Sequence, residues 1–349
     1  MLKSLKLLAL ALARRAGAGA LLLRSRWRQQ RVLILGYHGI SLDDEHQWSP
    51  QLYMRADFFR RRLAKLRALG CQVLPLGEAL ERLAAGQLPP ASVALTFDEG
   101  FCDFYRQACP LLEEFGLPAT VYVSTYYCDY NRPVFDPMVS YLLWKGAGQT
   151  LDWGEVLGGP VRLEEAVHPV VTRRILAYAR VKRLTGRDKD ALLAQLAARL
   201  RVDYAALCAR RILHLMNTDE LRAIAGRGID LQLHTHRHRA PRKKERFLKE
   251  IQDNRARLAA VTPGELAHFC YPGGAYLPEF AGWLGECGVR SATTCEPGLA
   301  TRSSNPWLLP RVVDTSHTPE LVFESWLSGA AGFLPRHRAE IAEGQLLEE

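Results

Sequence analysis

Two adjacent carboxylates directly follow an apolar run in the segment ALTFDEGF, residues 94–101. Asp98 and Glu99 differ in length by one methylene, and they precede Gly100, a residue that lets the chain turn sharply. Paired acids at the end of a buried strand suit proton transfer or metal binding, and a nearby cation would keep both ionised. The segment therefore predicts a functional carboxylate pair.

Histidines follow two other apolar runs. His38 comes after LILGY, while His234 and His238 belong to the run HTHRH after IDLQL. Imidazole nitrogens and a carboxylate oxygen are typical ligands of a borderline cation such as zinc, so one acid with two histidines would leave positions open for water and substrate. Taken alone, the segment 234–244 also fits a solvated basic loop, and its residues leave both interpretations open.

The elements that must position these residues alternate along the chain between apolar and amphipathic stretches. The apolar runs predict strands at 31–37, 71–76, 92–97, 119–124, 229–233, 268–271, 289–294 and 307–313. Helices are predicted at 58–69, 79–86, 105–115, 217–225, 245–261, 279–287 and 319–327. This alternation predicts an α/β fold, a (β/α)7-type distorted barrel of parallel strands rather than an open sheet. In such a barrel the polar residues after the strands converge on one face.

The segment 129–216 does not follow this alternation and is predicted to be a helical insertion in a barrel that spans 32–328, with a tail at 329–349. The 349 residues carry a net charge of +9, with 46 basic and 37 acidic side chains. Eight of the basic residues lie in 1–31, so the rest of the chain has 38 basic residues against 37 acidic ones. A nearly neutral body argues against nucleic-acid binding.

Residues 1–31 form a basic segment that contains no acidic residue and is too interrupted to span a bilayer. Its leucines and arginines predict an amphipathic helix on an anionic membrane surface, although a terminal helix packed on the domain or a cleaved signal also fits. The eight cysteines form no CxxC pair, which indicates scattered reduced thiols. We therefore expect a cytoplasmic or membrane-associated protein, or an exported one if the segment is a signal.

Four motifs in this order resemble the polysaccharide deacetylases of carbohydrate esterase family 4, which have a NodB-type domain. TFDEG at 96–100 resembles the family's TFDDG motif, and HTHRH at 234–238 resembles its histidine motif. FCYPGG at 269–274 is similar to the third motif, and ILGYHGI at 34–40 resembles the start of the poly-N-acetylglucosamine deacetylase branch. The resemblance extends from about residue 32 to about residue 328, without most of the insertion.

The resemblance implies a hydrolase that cleaves linear amides, with an N-acetylated polysaccharide or lipid-linked glycan of exopolysaccharide synthesis as substrate. A divalent metal, zinc first, would be bound by Glu99, His234 and His238. Asp98 would be the general base, and the backbone N–H near Gly273 would stabilise the oxyanion. His38 would protonate the leaving amine.

Several points stay open at this stage. His317 is the second candidate for the acid. Glu99 stands where the family has an aspartate, which either shifts the backbone, weakens the metal or marks an altered site. Cys270 stands where some branches have an arginine that orients the catalytic aspartate, and its thiol is either a metal ligand or part of the core. The alternatives are hydrolysis of another small amide on the same barrel, or a catalytically weakened carbohydrate-binding protein.

Overall fold

Eight parallel strands form the central sheet of the protein, whose computed structural model describes residues 2–15, 17–334 and 346–347. The strands are β1 Leu33–Tyr37, β2 Gln72–Val73, β3 Ser92–Phe97, β4 Ala119–Val123, β5 Ile229–Leu233, β6 His268–Cys270, β7 Ser291–Thr293 and β8 Val312–Val313. Every residue of β1, β3 and β4 is buried, as expected for parallel strands that are covered on both faces.

The strands are arranged in the order β7-β6-β5-β4-β3-β1-β8, and β2 pairs with the start of β3. A bridge between Thr293 and Leu309 connects β7 to the segment before β8, so the sheet curves back towards its own beginning. This arrangement confirms the predicted distorted (β/α) barrel. The carboxyl ends of β1, β3 and β5 therefore lie at one end of the barrel.

Helices connect the strands and cover the outside of the barrel. They comprise Ala56–Ala68, Leu76–Ala85, a π-helical turn at Phe104–Ala108 continued by Cys109–Phe115, Tyr126–Tyr130, Thr218–Ile224, Lys244–Ala259, Phe280–Glu286 and Glu320–Ser328. Two of them end at Gly86 and Gly116, whose left-handed backbone makes them suitable C-terminal caps. The helix at 218 begins at Asn217 with a capping box that involves Glu220.

Two predicted strands are much shorter than expected. The apolar run 71–76 contributes only Gln72–Val73 to the sheet, because the helix Leu76–Ala85 begins at its last residue. The apolar run 307–313 contributes only Val312–Val313 to the sheet, apart from the single bridge at Leu309. Pro310 lacks an N–H group and so cannot donate to a strand ladder. The strand predicted at 307–313 therefore extended too far at its amino-terminal end.

The segment 129–216 contains five α-helices, a short 3-10 helix at Glu165–Val167 and a hairpin. The helices are Phe135–Lys145, Gly154–Leu157, His168–Val181, Gly186–Arg199 and Tyr204–Ala209. Strands Thr150–Asp152 and Pro160–Arg162 pair in an antiparallel hairpin that the sequence did not predict. Other short elements are Arg26–Gln29, Gly39–Ile40, Glu45–Trp48, Tyr53–Met54, Ala240–Pro241 and Leu346–Leu347.

The N-terminal helices Leu2–Arg15 and Ala18–Leu23 pack against the helix Glu320–Ser328. Arg14 forms an ion pair with Glu324 at 3.2 Å, and Leu10 and Leu23 are buried in this contact region. Among the described residues, no helix combines the length and the apolar character that crossing a bilayer requires.

Two further sequence predictions concern the cysteines and the tail. All eight cysteines lie within the described ranges and are free thiols, as predicted. Of the predicted tail, residues 335–345 and 348–349 lie outside the described residues.

Candidate active site

A sharp turn after β3 separates the two adjacent acids. The N–H of Asp98 donates to the carbonyl of Tyr37 at 2.9 Å, which continues the pairing with β1. Glu99 then adopts a left-handed φ of 62°, and the N–H of Gly100 donates back to the carbonyl of Asp98 at 2.8 Å. Because the backbone reverses here, the two carboxylates contact different partners.

Asp98 forms a bidentate ion pair with Arg311, the residue just before β8. Arg311 Nη1 lies 2.6 Å from Oδ1 and Nη2 lies 2.7 Å from Oδ2. The guanidinium is fully buried, and the carboxylate is nearly so. Burial alone would raise the pKa of Asp98, but the charge and hydrogen bonds of Arg311 outweigh it and lower the pKa. Asp98 is therefore held ionised.

The surroundings of Arg311 use its remaining donors. Nε donates to the carbonyl of Thr294 at 3.1 Å, and Nη1 also donates to the hydroxyl of Thr96 at 3.3 Å. A Cβ on Gly36 would lie 3.1 Å from Arg311 Nε, so a side chain at this point of β1 would crowd the guanidinium. Glycine at position 36 thus leaves room for the buried cation.

His38 lies beside the ionised Asp98. Its Nε2 is 3.6 Å from Asp98 Oδ2, and its side chain is 15% exposed. The next residues are fixed by Asp103, whose Oδ1 accepts the Ile40 N–H at 3.1 Å. Burial raises the pKa of Asp103 well above its usual value, and so favours its protonated form. The imidazole of His38 therefore combines contact with the base candidate and access to solvent.

Glu99 meets both predicted histidine ligands on the other side of the turn. Its Oε1 lies 3.7 Å from His234 Nε2 and 3.2 Å from His238 Nε2. One ligand atom from each of the three residues lies within 4.8 Å of the other two. The structure therefore brings together the carboxylate and the two imidazoles that the sequence predicted.

Two atoms of this cluster are placed to bind a cation. Glu99 Oε2 and His234 Nε2 are buried and have no hydrogen-bond partner. His234 Nδ1 lies 2.8 Å from the carbonyl of Cys270, so Nδ1 carries the proton and Nε2 presents a lone pair to the cluster. Buried polar atoms without partners are costly, and a divalent cation would satisfy both. The residues thus fit a His₂–carboxylate metal site.

The electrostatics of Glu99 agree with a ligand role. Burial would raise its pKa, but the neighbouring imidazoles of His38, His234 and His238 hold the pKa well below its usual value. Carboxylates bind metals in the ionised form. Glu99 is therefore in the protonation state that a cation needs.

The backbone that carries this cluster is strained at three residues. Glu99, Thr235 and His238 all have left-handed φ angles, of 62°, 61° and 54°. Such conformations are uncommon outside glycine and cost of order 1–3 kcal/mol each, so they persist where surrounding structure enforces them. His236, between the two ligands, instead contacts the Thr125 hydroxyl through Nδ1 at 2.9 Å. The loop thus presents alternate histidines to the cluster.

Three other predicted residues occupy different surroundings. Gly273 lies in the turn after β6 with a φ of 59° and is exposed, with no described contact to either acid. Cys270 is fully buried and belongs to the core rather than to the ligand cluster. The side chain of His317 is exposed in the loop after β8, and no described contact joins it to Asp98 or Glu99.

Arg311 is the residue that the sequence analysis missed. It stands in a predicted buried strand, and a charged residue in such a run needs a buried partner. That signal was present in WLLPRVV, but its partner Asp98 lies 213 residues away. The sequence alone could not connect the two.

Comparison with known proteins agrees with this fold. The family model described as polysaccharide deacetylase matches residues 85–153 and 198–292. This match agrees with the resemblance of the four motifs to the polysaccharide deacetylase family. Poly-beta-1,6-N-acetyl-D-glucosamine N-deacetylase of Escherichia coli (strain K12) is 30% identical to this chain over 101 residues. That match covers 29% of this chain and only 15% of the relative.

Solved structures of deacetylases share the fold. The Streptococcus pyogenes deacetylase PplD in complex with acetate is 17% identical, with a TM-score of 0.55 over 82% of this chain and 93% of that one. IcaB from Ammonifex degensii is 16% identical, with a TM-score of 0.53 over 85% and 97% of the two chains. A de-N-acetylase from Aggregatibacter actinomycetemcomitans is 14% identical, with a TM-score of 0.53 over 85% and 99%.

The buried ion pair gives a stability prediction. Arg311→Met should lower the free energy of unfolding by about 3–5 kcal/mol, because it leaves Asp98 buried without its cation. The double variant Asp98→Asn/Arg311→Met should lose less than the sum of the single variants, as measured by urea unfolding. Since the pKa of Asp98 is lowered in the fold, the wild-type contribution should persist above the unfolded pKa of about 3.9 and be lost as the pH falls from there through the lower folded pKa. Additive losses would contradict this coupling.

Proposed function

We propose that this protein is a metal-dependent hydrolase that removes N-acetyl groups from an N-acetylated glycan. The observation that carries the proposal is the cluster of Glu99, His234 and His238, with its two unpartnered buried atoms, beside the ionised Asp98. Carboxylate and imidazole ligands favour zinc among the common divalent ions. The match to the polysaccharide deacetylase family model and the similarity to a named N-deacetylase support an acetamide as the bond that is cleaved.

The residues of the chain divide the chemistry between them. A divalent cation held by the cluster would polarise the acetamide carbonyl and acidify water. Asp98, kept ionised by Arg311, would accept the proton of the attacking water, and Arg311 would fix the carboxylate's orientation. His38, within 3.6 Å of Asp98, would donate a proton to the departing amine. The N–H of Gly273 would hydrogen-bond to the developing oxyanion.

We also propose a biosynthetic role and a cellular location for this reaction. The relatives named for poly-N-acetylglucosamine support a role in exopolysaccharide or envelope synthesis, with a polymer or a lipid-linked glycan as substrate. The basic segment 1–31 would contact the membrane surface from the cytoplasmic side, because Leu8, Leu12 and Leu21 remain exposed on helices that also carry cationic side chains.

The decisive experiment measures acetate release from a panel of N-acetylglycans, including β-1,6-linked N-acetylglucosamine oligomers. The protein is first stripped with a chelator and then supplied with zinc, cobalt or no metal. Activity should disappear on stripping and return with metal. Glycan binding without acetate release under every metal condition would instead favour a weakened carbohydrate-binding protein.

Asp98→Asn tests the separation of base and ligand. Acetate release should fall by about 10²–10⁴-fold, the usual contribution of general acid–base catalysis, while bound metal stays near the wild-type amount. His238→Ala is the matched control, and it should lose metal and activity together. Metal content is measured by elemental analysis. If Asp98→Asn also loses its metal, Asp98 is a ligand and the assignment is wrong.

Glu99→Asp tests whether metal binding requires the length of the Glu99 side chain. Shortening the side chain by one methylene should move the carboxylate about 1.5 Å from the histidines and weaken metal binding about 10-fold or more. Glu99→Gln keeps the length but removes the charge, and serves as the second variant. Metal affinity is measured by titration of the stripped protein. An increase in metal affinity and activity in Glu99→Asp would show that Glu99 is the impaired ligand of an altered site.

His38→Ala and His317→Ala distinguish the two candidates for the acid. His38→Ala should lower kcat by about 10²–10⁴-fold and remove the limb of the pH–rate profile that reports a protonated group. His317→Ala should leave the profile unchanged, because its side chain is exposed and contacts neither acid. The reverse pattern would transfer the role of acid to His317.

A further inference from the structure

A cleft of about 520 Å³ lies at the amino end of the barrel, opposite the candidate active site. Arg31 directly precedes the bridge residue Val32 and the start of β1, whereas His38 directly follows the end of β1. Arg26, Arg31 and Arg302 line the cleft, together with the hydroxyl-bearing Thr301 and Ser303. The cleft therefore combines three guanidinium groups with neutral hydrogen-bonding groups.

The positive charge of this cleft is not balanced. No aspartate or glutamate is among its lining residues. Arg26 and Arg302 form no ion pair with any residue in the described ranges, whereas other arginines such as Arg62 are paired with carboxylates. The guanidinium of Arg31 lies 4.1 Å from the ring centroid of Trp27, a contact that orients it without neutralising it. An anion would supply the missing charge.

The wall of the cleft is fixed before any ligand arrives. Arg28 belongs to the helix Arg26–Gln29 and is fully buried. Its Nε donates to the carbonyl of Leu327 at 2.9 Å, and its Nη2 donates to the carbonyl of Ser92 at 3.0 Å. These bonds attach the short helix both to β3 and to the last helix of the barrel. A preformed cleft loses little conformational freedom on binding, which favours affinity.

The segment before the cleft points to the source of the anion. The helices Leu2–Arg15 and Ala18–Leu23 use one side to pack on the domain, but Leu8, Leu12 and Leu21 are 56%, 57% and 76% exposed. Binding of a free anion would not explain why these leucines are exposed. Exposed leucines beside basic residues are instead typical of helices at an anionic membrane surface. The occupant of the cleft and the environment of the leucines would then belong to one bilayer.

We propose that this cleft binds the phosphate of an anionic phospholipid headgroup. Guanidinium groups recognise phosphate oxygens through paired, charge-assisted hydrogen bonds, and Thr301 and Ser303 can donate further ones. The inference extends the proposed membrane contact of residues 1–31, and it does not depend on the deacetylase reaction.

The test compares two full-length double variants with equal loss of charge. Arg26→Gln/Arg302→Gln removes two cations of the cleft, and the matched control Arg173→Gln/Arg187→Gln removes two exposed, unpaired arginines from the helices His168–Val181 and Gly186–Arg199. Binding is measured by co-sedimentation with vesicles of phosphatidylcholine containing phosphatidylglycerol, and with vesicles of phosphatidylcholine alone. Inorganic phosphate binding is measured separately by calorimetry.

The cleft variant should bind the phosphatidylglycerol vesicles about 25-fold more weakly, at about fivefold for each arginine, while the control stays within about twofold of wild type. Phosphatidylcholine vesicles should bind all three proteins weakly. Equal losses in both variants, or no loss in the cleft variant, would overturn the proposal. So would phosphate binding that only the cleft variant loses while its vesicle binding is unchanged. Acetate release from a soluble oligomer should be the same in both variants, so failure of the catalytic proposal is recorded separately.

Discussion

The pairing of Asp98 with Arg311 is the constraint on which the rest of the site depends. Two charges removed from water are tolerated only when each meets the other in good geometry and the remaining donors are used. The hydroxyl of Thr96, the carbonyl of Thr294 and the absent side chain of Gly36 meet this requirement. The pair thus ties β3 to β8 across the intervening β1, and the bond from Arg311 to the carbonyl of Thr294, just after β7, links the two ends of the barrel sheet.

The ligand cluster depends on a different kind of support. One ligand comes from the turn after β3 and the other two come from a single loop after β5, and both places contain left-handed residues. The fully buried Asn254 holds this loop, because its Oδ1 accepts the His234 N–H at 2.9 Å and its amide donates to the carbonyl of Val123 at 2.9 Å. The buried hydrogen bonds of Asn254 therefore help to maintain the strained backbone of this loop.

Local sequence signals predicted much of this molecule. Periodic apolar runs located the barrel strands, and the residues that follow them located Glu99, His234 and His238, because strand ends in a parallel barrel converge. The partner of Asp98 could not be predicted, since sequence spacing contains no information on which distant strand faces it. The hairpin formed by 150–152 and 160–162 was missed because its strands have only three residues each, too few for a period to show.

The cleft and the candidate active site lie at opposite ends of β1, and their separation has a geometric consequence. From Arg31 to His38 the extended chain rises about 3.3 Å per residue, or about 23 Å in total. If the cleft holds the protein to a bilayer, the candidate active site would lie about 23 Å from the lipid headgroup in the cleft. The first few sugars next to a lipid anchor would then lie below the reach of the catalytic groups. The protein would therefore leave the sugars nearest the membrane unmodified and would act on sugars further along the glycan.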